Sequence, residues 1–162
     1  MSKISVLMSV YKKENPEYLR ASLESILVQT RTADEILLIE DGPLTQELYQ
    51  VVAEYQKKCD YLHVHAMEQN VQLGRALAKG VELCQYDLIA RMDTDDIAMP
   101  DRLEKEGAYM EAHPEVDVVG GAIREFNDEG TIDRVKNMPK TQEAILELSL
   151  IHISEPTRHL RI

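Results

Sequence analysis

No apolar run in this chain approaches the roughly 18–20 residues that a membrane-crossing helix needs, so the sequence predicts no membrane span. The amino terminus MSKISVLMSVY carries one lysine and no long apolar stretch, and does not read as a secretory signal. Basic residues are also in deficit. Eighteen lysines and arginines face 29 aspartates and glutamates, a formal net charge of −11. Phosphate backbones are bound by basic faces, so nucleic acid is not an expected partner. A phosphate-bearing small molecule stays compatible provided that a cation mediates. Cysteine occurs only at Cys59 and Cys84, in separate segments without metal-ligand spacing, which predicts reduced thiols in a cytosolic protein. Repeats and low-complexity segments are lacking too. What is present is an ordinary globular composition, 44% hydrophobic and 29% charged over 162 residues. That length fits one domain burying about two thirds of its unfolded surface.

Short apolar runs alternate with helical patterns. Ile4 to Val10 (ISVLMSV) suits a buried strand. Asn15-Pro16-Glu17 then reads as a helix start, with a capping Asn, a proline in the first turn and an acid beside it. Leu19, Leu23, Ile26 and Leu27 follow at helical spacing. Glu35 to Ile39 is a second buried strand, closed by Asp41-Gly42-Pro43. Leu48, Val51, Val52 and Tyr55 mark a second helix, and Tyr61 to Ala66 a third strand. Leu73, Leu77, Val81 and Cys84 make a third helical stripe, and Asp87 to Met92 a fourth strand. A fourth helix opens at Pro100-Asp101-Arg102-Leu103 and ends near His113-Pro114. Val116 to Ala122 reads as a further strand, followed by a turn at Asn127-Asp128-Glu129-Gly130. This alternation predicts an α/β fold in three layers, α/β/α, with a mostly parallel central sheet covered on both faces. In such sheets ligands bind beyond the carboxyl ends of the strands. Ser9 and Tyr11, Asp41, and Asp93 to Asp96 all fall there.

The aspartates pose the main question. LIARMDTDD ends an apolar strand in three carboxylates within four positions. At about 4 Å and an effective dielectric near 20, each like-charged pair costs about 4 kcal/mol. A proton or a divalent cation relieves that repulsion. Oxygen-only ligands select hard cations, Mg²⁺ or Mn²⁺, which keep waters and bridge to phosphates. The same spacing also fits a capped turn with solvated acids.

Several separated motifs come in an order that resembles the nucleotide-binding half of the family 2 glycosyltransferases. They are ISVLMSVY, EILLIEDGPLT and GRALAKGVELCQYDLIARMDTDD, within a likeness covering about residues 3 to 146. The resemblance implies a GT-A fold, a nucleotide-sugar donor, most often a UDP-sugar, and inverting transfer to an acceptor hydroxyl. It further implies a glycan or lipid-linked acceptor in bacterial surface polysaccharide synthesis. A cytoplasmic place follows, peripheral at the inner membrane face in the full-length parent. By that likeness Tyr11 packs on the nucleotide base, Ser9 lies beside that pocket and Asp41 hydrogen-bonds the base. Asp93 faces the ribose, Asp95 holds the metal against the diphosphate, and Asp96 supports the loop. Departures exist. Glu40-Asp41-Gly42-Pro43 stands where many relatives have two acids and Gly-Ser, and Ala78 where many have Asn. Gly74 and Arg75 allow a phosphate contact, although an exposed helix-start arginine is the plainer reading. His63 and His65 alternate on one strand face with no third ligand, and read as structural.

Leu148 to Arg158, LSLIHISEPTR, resembles the in-frame translation of a sequencing-library adaptor. The expected organisation is therefore a partial donor-binding domain over residues 1–147 and a non-native tail over 148–162, kept out of fold reasoning. An inverting enzyme needs a general base. The family's acidic base is expected after the point where this sequence departs from the family, which makes the chain an inactive donor-binding part. Two other readings fit less well. A sugar nucleotidyltransferase needs a Gly-rich loop after the first strand, where Tyr11 to Pro16 holds no glycine. A phospho-acceptor signalling domain needs a lone aspartate after the third strand, which here ends in Ala66-Met67-Glu68.

Overall fold

The computed structural model of this chain describes residues 1–126, 134–139, 141, 143–145 and 147. The chain divides into two compact units, Met1–Asp117 and Val118–Ile162. The first unit runs β1 (Ile4–Val10), α1 (Pro16–Leu27), β2 (Glu35–Glu40), α2 (Gln46–Lys58), β3 (Leu62–Ala66), α3 (Leu73–Leu83), β4 (Leu88–Asp93) and α4 (Arg102–Ala112). Its four strands form one sheet in the order β3-β2-β1-β4, and every pair is parallel.

The continuous apolar runs of β1 and β2 are explained by burial on both faces. Val6, Met8, Ile36 and Leu38 point to one side, where they pack with Leu19, Leu23 and Ile26 of α1 and Leu48, Val51, Val52 and Tyr55 of α2. Leu7, Leu37 and Ile39 point to the other side, against Ala76 of α3. Each such side chain, fully buried, contributes about 1.5–3 kcal/mol. The α1 start behaves as its sequence predicts: the Asn15 side chain accepts the Glu17 N–H at 2.9 Å, and Pro16 opens the helix. Thr45 caps α2 through the Leu48 N–H. The two helices are tied by the Tyr55 hydroxyl donating to Glu24 at 2.9 Å and by an Arg20–Glu54 ion pair.

Two expectations fail. The third helix forms, but of the expected stripe Leu73, Leu77, Val81 and Cys84 only Leu77 and Cys84 pack, partly buried, against the core. Leu73 and Val81 are exposed, and Ala76 and Gly80 face the sheet. Small residues win there because the helix lies close: a Cβ at Gly80 would sit 2.3 Å from Leu7 Cδ1 and 3.2 Å from Ile39 Cγ1. The strand expected over Val116 to Ala122 does not form. That stretch pairs with no strand among the described residues, and Val118 is exposed. An apolar run becomes a buried strand only where layers cover it. The second unit contains β5 (Ile123–Glu125) paired antiparallel with β6 (Arg134–Lys136), and a Glu125–Lys136 ion pair joins them. The expected turn at Asn127 to Gly130 and the tail over 148–162 lie outside the described residues. No helix among the described residues is long and apolar enough to cross a membrane.

Filling the α3–sheet contact tests this packing. Gly80→Val is expected to destabilise the chain by about 1–3 kcal/mol through overpacking against Leu7 and Ile39, read as a lower urea midpoint at unchanged slope.

Candidate functional site

β1 lies between β2 and β4, so its last residues bring both neighbours' ends together. Ser9 is in register with Ile39 on one side and Asp93 on the other, and Val10 with Glu40. Neighbouring strands run about 4.8 Å apart. Asp41 follows β2 directly, its N–H donating to the Val10 carbonyl at 2.8 Å. Its carboxylate is buried and held on both oxygens. Asn70 Nδ2 donates to Oδ2 at 2.9 Å, and the Val71 N–H donates to Oδ1 at 2.7 Å. Gly42 completes this turn with φ +83°, and a Cβ there would lie 2.5 Å from the Asn70 nitrogen. Only glycine satisfies both the backbone angle and that approach. A cleft of about 350 Å³ opens here, lined by Lys12 and by residues 41–43 and 68–70. A larger cleft of about 480 Å³, lined in part by Lys3, Tyr86 and Glu111, lies at the amino ends of β1 and β4, away from the aspartates.

Asp93 ends β4, and Asp95 and Asp96 follow it into solvent. Carboxylate oxygens of all three lie within 4.8 Å of one another. Arg91, two residues back on the same strand, pairs with Asp93. The Asp96 N–H donates to the Asp93 carbonyl at 3.4 Å. Asp96, expected as loop support, therefore also brings its side chain into the cluster. An all-carboxylate donor set fits a hard divalent cation. His63 and His65 belong to no such cluster among the described residues.

The glycosyl transferase family 2 model matches residues 5–161 of this chain. The chain belongs to that family. It is 46% identical over 148 residues to an uncharacterized glycosyltransferase of Haemophilus influenzae, covering 91% of this chain and 55% of the relative. It is 42% identical to the amylovoran biosynthesis glycosyltransferase AmsE of Erwinia amylovora, over 96% of this chain and 57% of that protein. To the UDP-Gal:alpha-D-GlcNAc-diphosphoundecaprenol beta-1,3-galactosyltransferase of Escherichia coli it is 35% identical, over 82% and 50%. The chain thus spans about half the length of these relatives. Among solved structures, S. aureus TarS 1–349 in complex with UDP-GlcNAc superposes with a TM-score of 0.61 at 23% identity, covering 69% of this chain and 32% of that one. The mannosyltransferase PcManGT from Pyrobaculum calidifontis, in complex with GDP-Man and Mn²⁺, superposes at 0.64 with 14% identity, over 76% and 36%. At such identities the likeness shows the fold, an α/β fold of GT-A type.

Within this family 2 domain the expected residues fall at the carboxyl edge of the sheet. Ser9 lies at the end of β1, and Tyr11, 44% exposed, follows it. Gly74, Arg75 and Ala78 are exposed on α3. Sequence reasoning missed what holds the aspartate loop. Ser22 Oγ donates to the Asp93 carbonyl at 3.0 Å, and Ser25 Oγ accepts the Ala98 N–H at 3.0 Å. Gln29 Nε2 donates to the Met99 carbonyl at 2.8 Å, and its Oε1 accepts the Leu103 N–H at 3.0 Å. Arg102 adds a donor to the Arg91 carbonyl at 2.9 Å. The signal was available: Ser22 and Ser25 share the buried face of α1 with Leu19, Leu23 and Ile26, and Gln29, also buried, follows the helix's C-cap. Thr94, 4% exposed, was also missed. Its hydroxyl lies 2.6 Å from Glu14 Oε2 and 3.3 Å from the Ser9 carbonyl.

Gln29→Leu removes three hydrogen bonds and strands the Met99 carbonyl and the Leu103 N–H. It is expected to cost about 2 kcal/mol or more, seen as a lower denaturation midpoint and faster proteolysis within residues 95–101. Glu40, next to Asp41, gives a second test. Burial pushes its carboxyl above the usual glutamate range. A carboxyl so raised binds its proton more tightly in the folded chain than in the unfolded one. Stability therefore falls as pH rises from the ordinary glutamate value through the raised one. Glu40→Gln is expected to be more stable than the parent at pH 7 and equal to it below about pH 4, measured as urea midpoints across that range.

Proposed function

We propose that this chain is the donor-binding part of a glycosyltransferase that moves a sugar from a UDP-sugar to an acceptor hydroxyl with inversion, in bacterial surface polysaccharide synthesis. The observation that carries this reading is the cluster of Asp93, Asp95 and Asp96 on the same sheet edge as the Asp41 cleft. The family's ligand chemistry needs two things at that edge: a fixed acceptor for a base and an anionic seat for a cation.

In this reading Tyr11 stacks on the base, as an exposed ring beside a strand end is able to do, and Ser9 lines the same pocket. Asp41 accepts the imide N–H of uracil. Both its oxygens are already oriented, and a carboxylate offers about four lone-pair sites, so acceptor capacity remains. Asp93 faces the ribose. Asp95, exposed and free to turn towards solvent, is the principal ligand of a divalent cation, Mg²⁺ or Mn²⁺. Such a cation supplies positive charge against a diphosphate leaving group. This resolves the acid excess of the protein, since the cation and not a lysine cluster meets the phosphates. The printed names of two relatives support the wider role, one in amylovoran biosynthesis and one acting from UDP-Gal on a diphosphoundecaprenol-linked sugar. A lipid-linked acceptor at the cytoplasmic membrane face is the corresponding proposal for the parent of this chain.

Binding of UDP is the direct test. Titration calorimetry is expected to show UDP held about tenfold or more tighter with Mn²⁺ than without it. Asp95→Asn is expected to abolish that gain while leaving the melting temperature near the parent's. Equal UDP affinity with and without Mn²⁺, or an unchanged Asp95→Asn variant, rejects the reading.

A further inference from the structure

Between Asp93 and Asp96 only Thr94 is buried. Its hydroxyl has one proton and two acceptors in reach, the Glu14 carboxylate at 2.6 Å and the Ser9 carbonyl at 3.3 Å. The shorter, charge-assisted contact to Glu14 is the stronger. Glu14 is itself built into the turn after β1. Its N–H donates to the Tyr11 carbonyl at 3.0 Å, and its second carboxylate oxygen accepts the Asn15 N–H at 2.8 Å. Two loops 80 residues apart in sequence are thus joined through a single hydroxyl. One loop carries Tyr11, and the other carries Asp93 and Asp95.

We propose that Thr94 is a positioning residue that couples the nucleoside end of the site to the cation end. This rests on the proposed roles of Tyr11 and Asp95. A ligand on either loop orders it, and the Thr94–Glu14 hydrogen bond transmits that order to the other loop, so the second ligand has less to arrange. The link also fixes the Glu14 carboxylate, which accepts from the Thr94 hydroxyl and the Asn15 N–H instead of turning freely.

The diphosphate of UDP touches the cation directly in the proposed site, so UDP alone cannot isolate this route. Uridine can, because it lacks phosphate. In the parent chain Mn²⁺ is expected to tighten uridine about fivefold, and uridine to tighten Mn²⁺ by the same factor, as linkage requires. The first is read by NMR titration of uridine, the second by Mn²⁺ electron paramagnetic resonance. Thr94→Val is expected to reduce both factors to about one, and Thr94→Ser to restore them. If Thr94→Val does not fold, Glu14→Ala, which cuts the same link from the solvent side, is expected to give the same loss. A parent in which Mn²⁺ tightens UDP but leaves uridine unchanged overturns the coupling and spares the function. So does a Thr94→Val or Glu14→Ala variant that keeps the fivefold factor. A parent that binds UDP with no Mn²⁺ dependence overturns both.

Discussion

A buried contact between Ser5 and Glu35 sets the register on which the site depends. β1 and β2 are apolar on both faces, so hydrophobic alternation alone does not fix how they align. A polar pair does. Ser5 and Glu35 are opposite each other in the ladder, and the Ser5 hydroxyl donates to the Glu35 carboxylate. The same carboxylate accepts the Gln85 N–H at 2.8 Å, and Ser5 Oγ accepts the Tyr86 N–H at 3.2 Å. One network at the amino end of the sheet therefore ties β1, β2 and the approach to β4. Any slip leaves a carboxyl group that is 2% exposed without its donors, and a buried polar group left unsatisfied costs about 1–3 kcal/mol, more when it is charged. Counted five residues on from Ser5–Glu35, that register brings Val10 to Glu40, with Asp41 next. On the other side it brings Ser9 to Asp93.

At the carboxyl edge the electrostatic problem is the reverse. Three carboxylates are drawn within 4.8 Å although they repel. The backbone does the holding. Ser22 fixes the Asp93 carbonyl, Thr94 is buried, and Ser25 and Gln29 tie down the chain from Ala98 to Leu103. These are bonds from neutral groups to the main chain, so they hold the loop without using the acidic side chains. Arg91 offsets part of the charge at Asp93. Asp95 and Asp96 stay exposed, where water screens their repulsion. The main chain is tied on either side of Asp95, whose side chain is exposed, as the proposed cation seat requires.

The sequence displayed the α/β order, the α1 cap and the three polar addresses because each rests on local chemistry. Asn15-Pro16-Glu17 is legible without knowing what α1 packs on, and Asp41-Gly42 breaks a strand wherever it stands. The failures share a cause. Leu73 and Val81 look like a buried stripe, yet the sheet below α3 carries large side chains, Leu7 and Ile39, so the close face has to be Ala76 and Gly80. The run from Val116 to Ala122 is apolar enough for a strand but has no partner among the described residues. Both depend on the neighbour and not on the segment. Ser22, Ser25 and Gln29 were overlooked for a similar reason. Polar residues on a helix or just past its end read as surface until the loop that they bind is known.

Asp41 and Asp95 illustrate two ways of preparing a carboxylate for a ligand. Asp41 is buried and satisfied by Asn70 and Val71, in a turn that only Gly42 permits, so its direction is fixed before anything binds. In the proposed role such an acceptor would select by geometry, since a base that presents a lone pair in place of an N–H would meet an oxygen that cannot rotate away. Asp95 is exposed, and in the proposed site its orientation is left to the cation that would neutralise it. A rigid, desolvated acceptor favours discrimination, because the cost of ordering it was met in folding. A mobile, hydrated one favours exchange, because little has to be undone when the cation and its diphosphate leave. With the first at the end of β2 and the second after β4, and β1 between them, the proposed function would let one sheet edge be selective for a base and permissive for release.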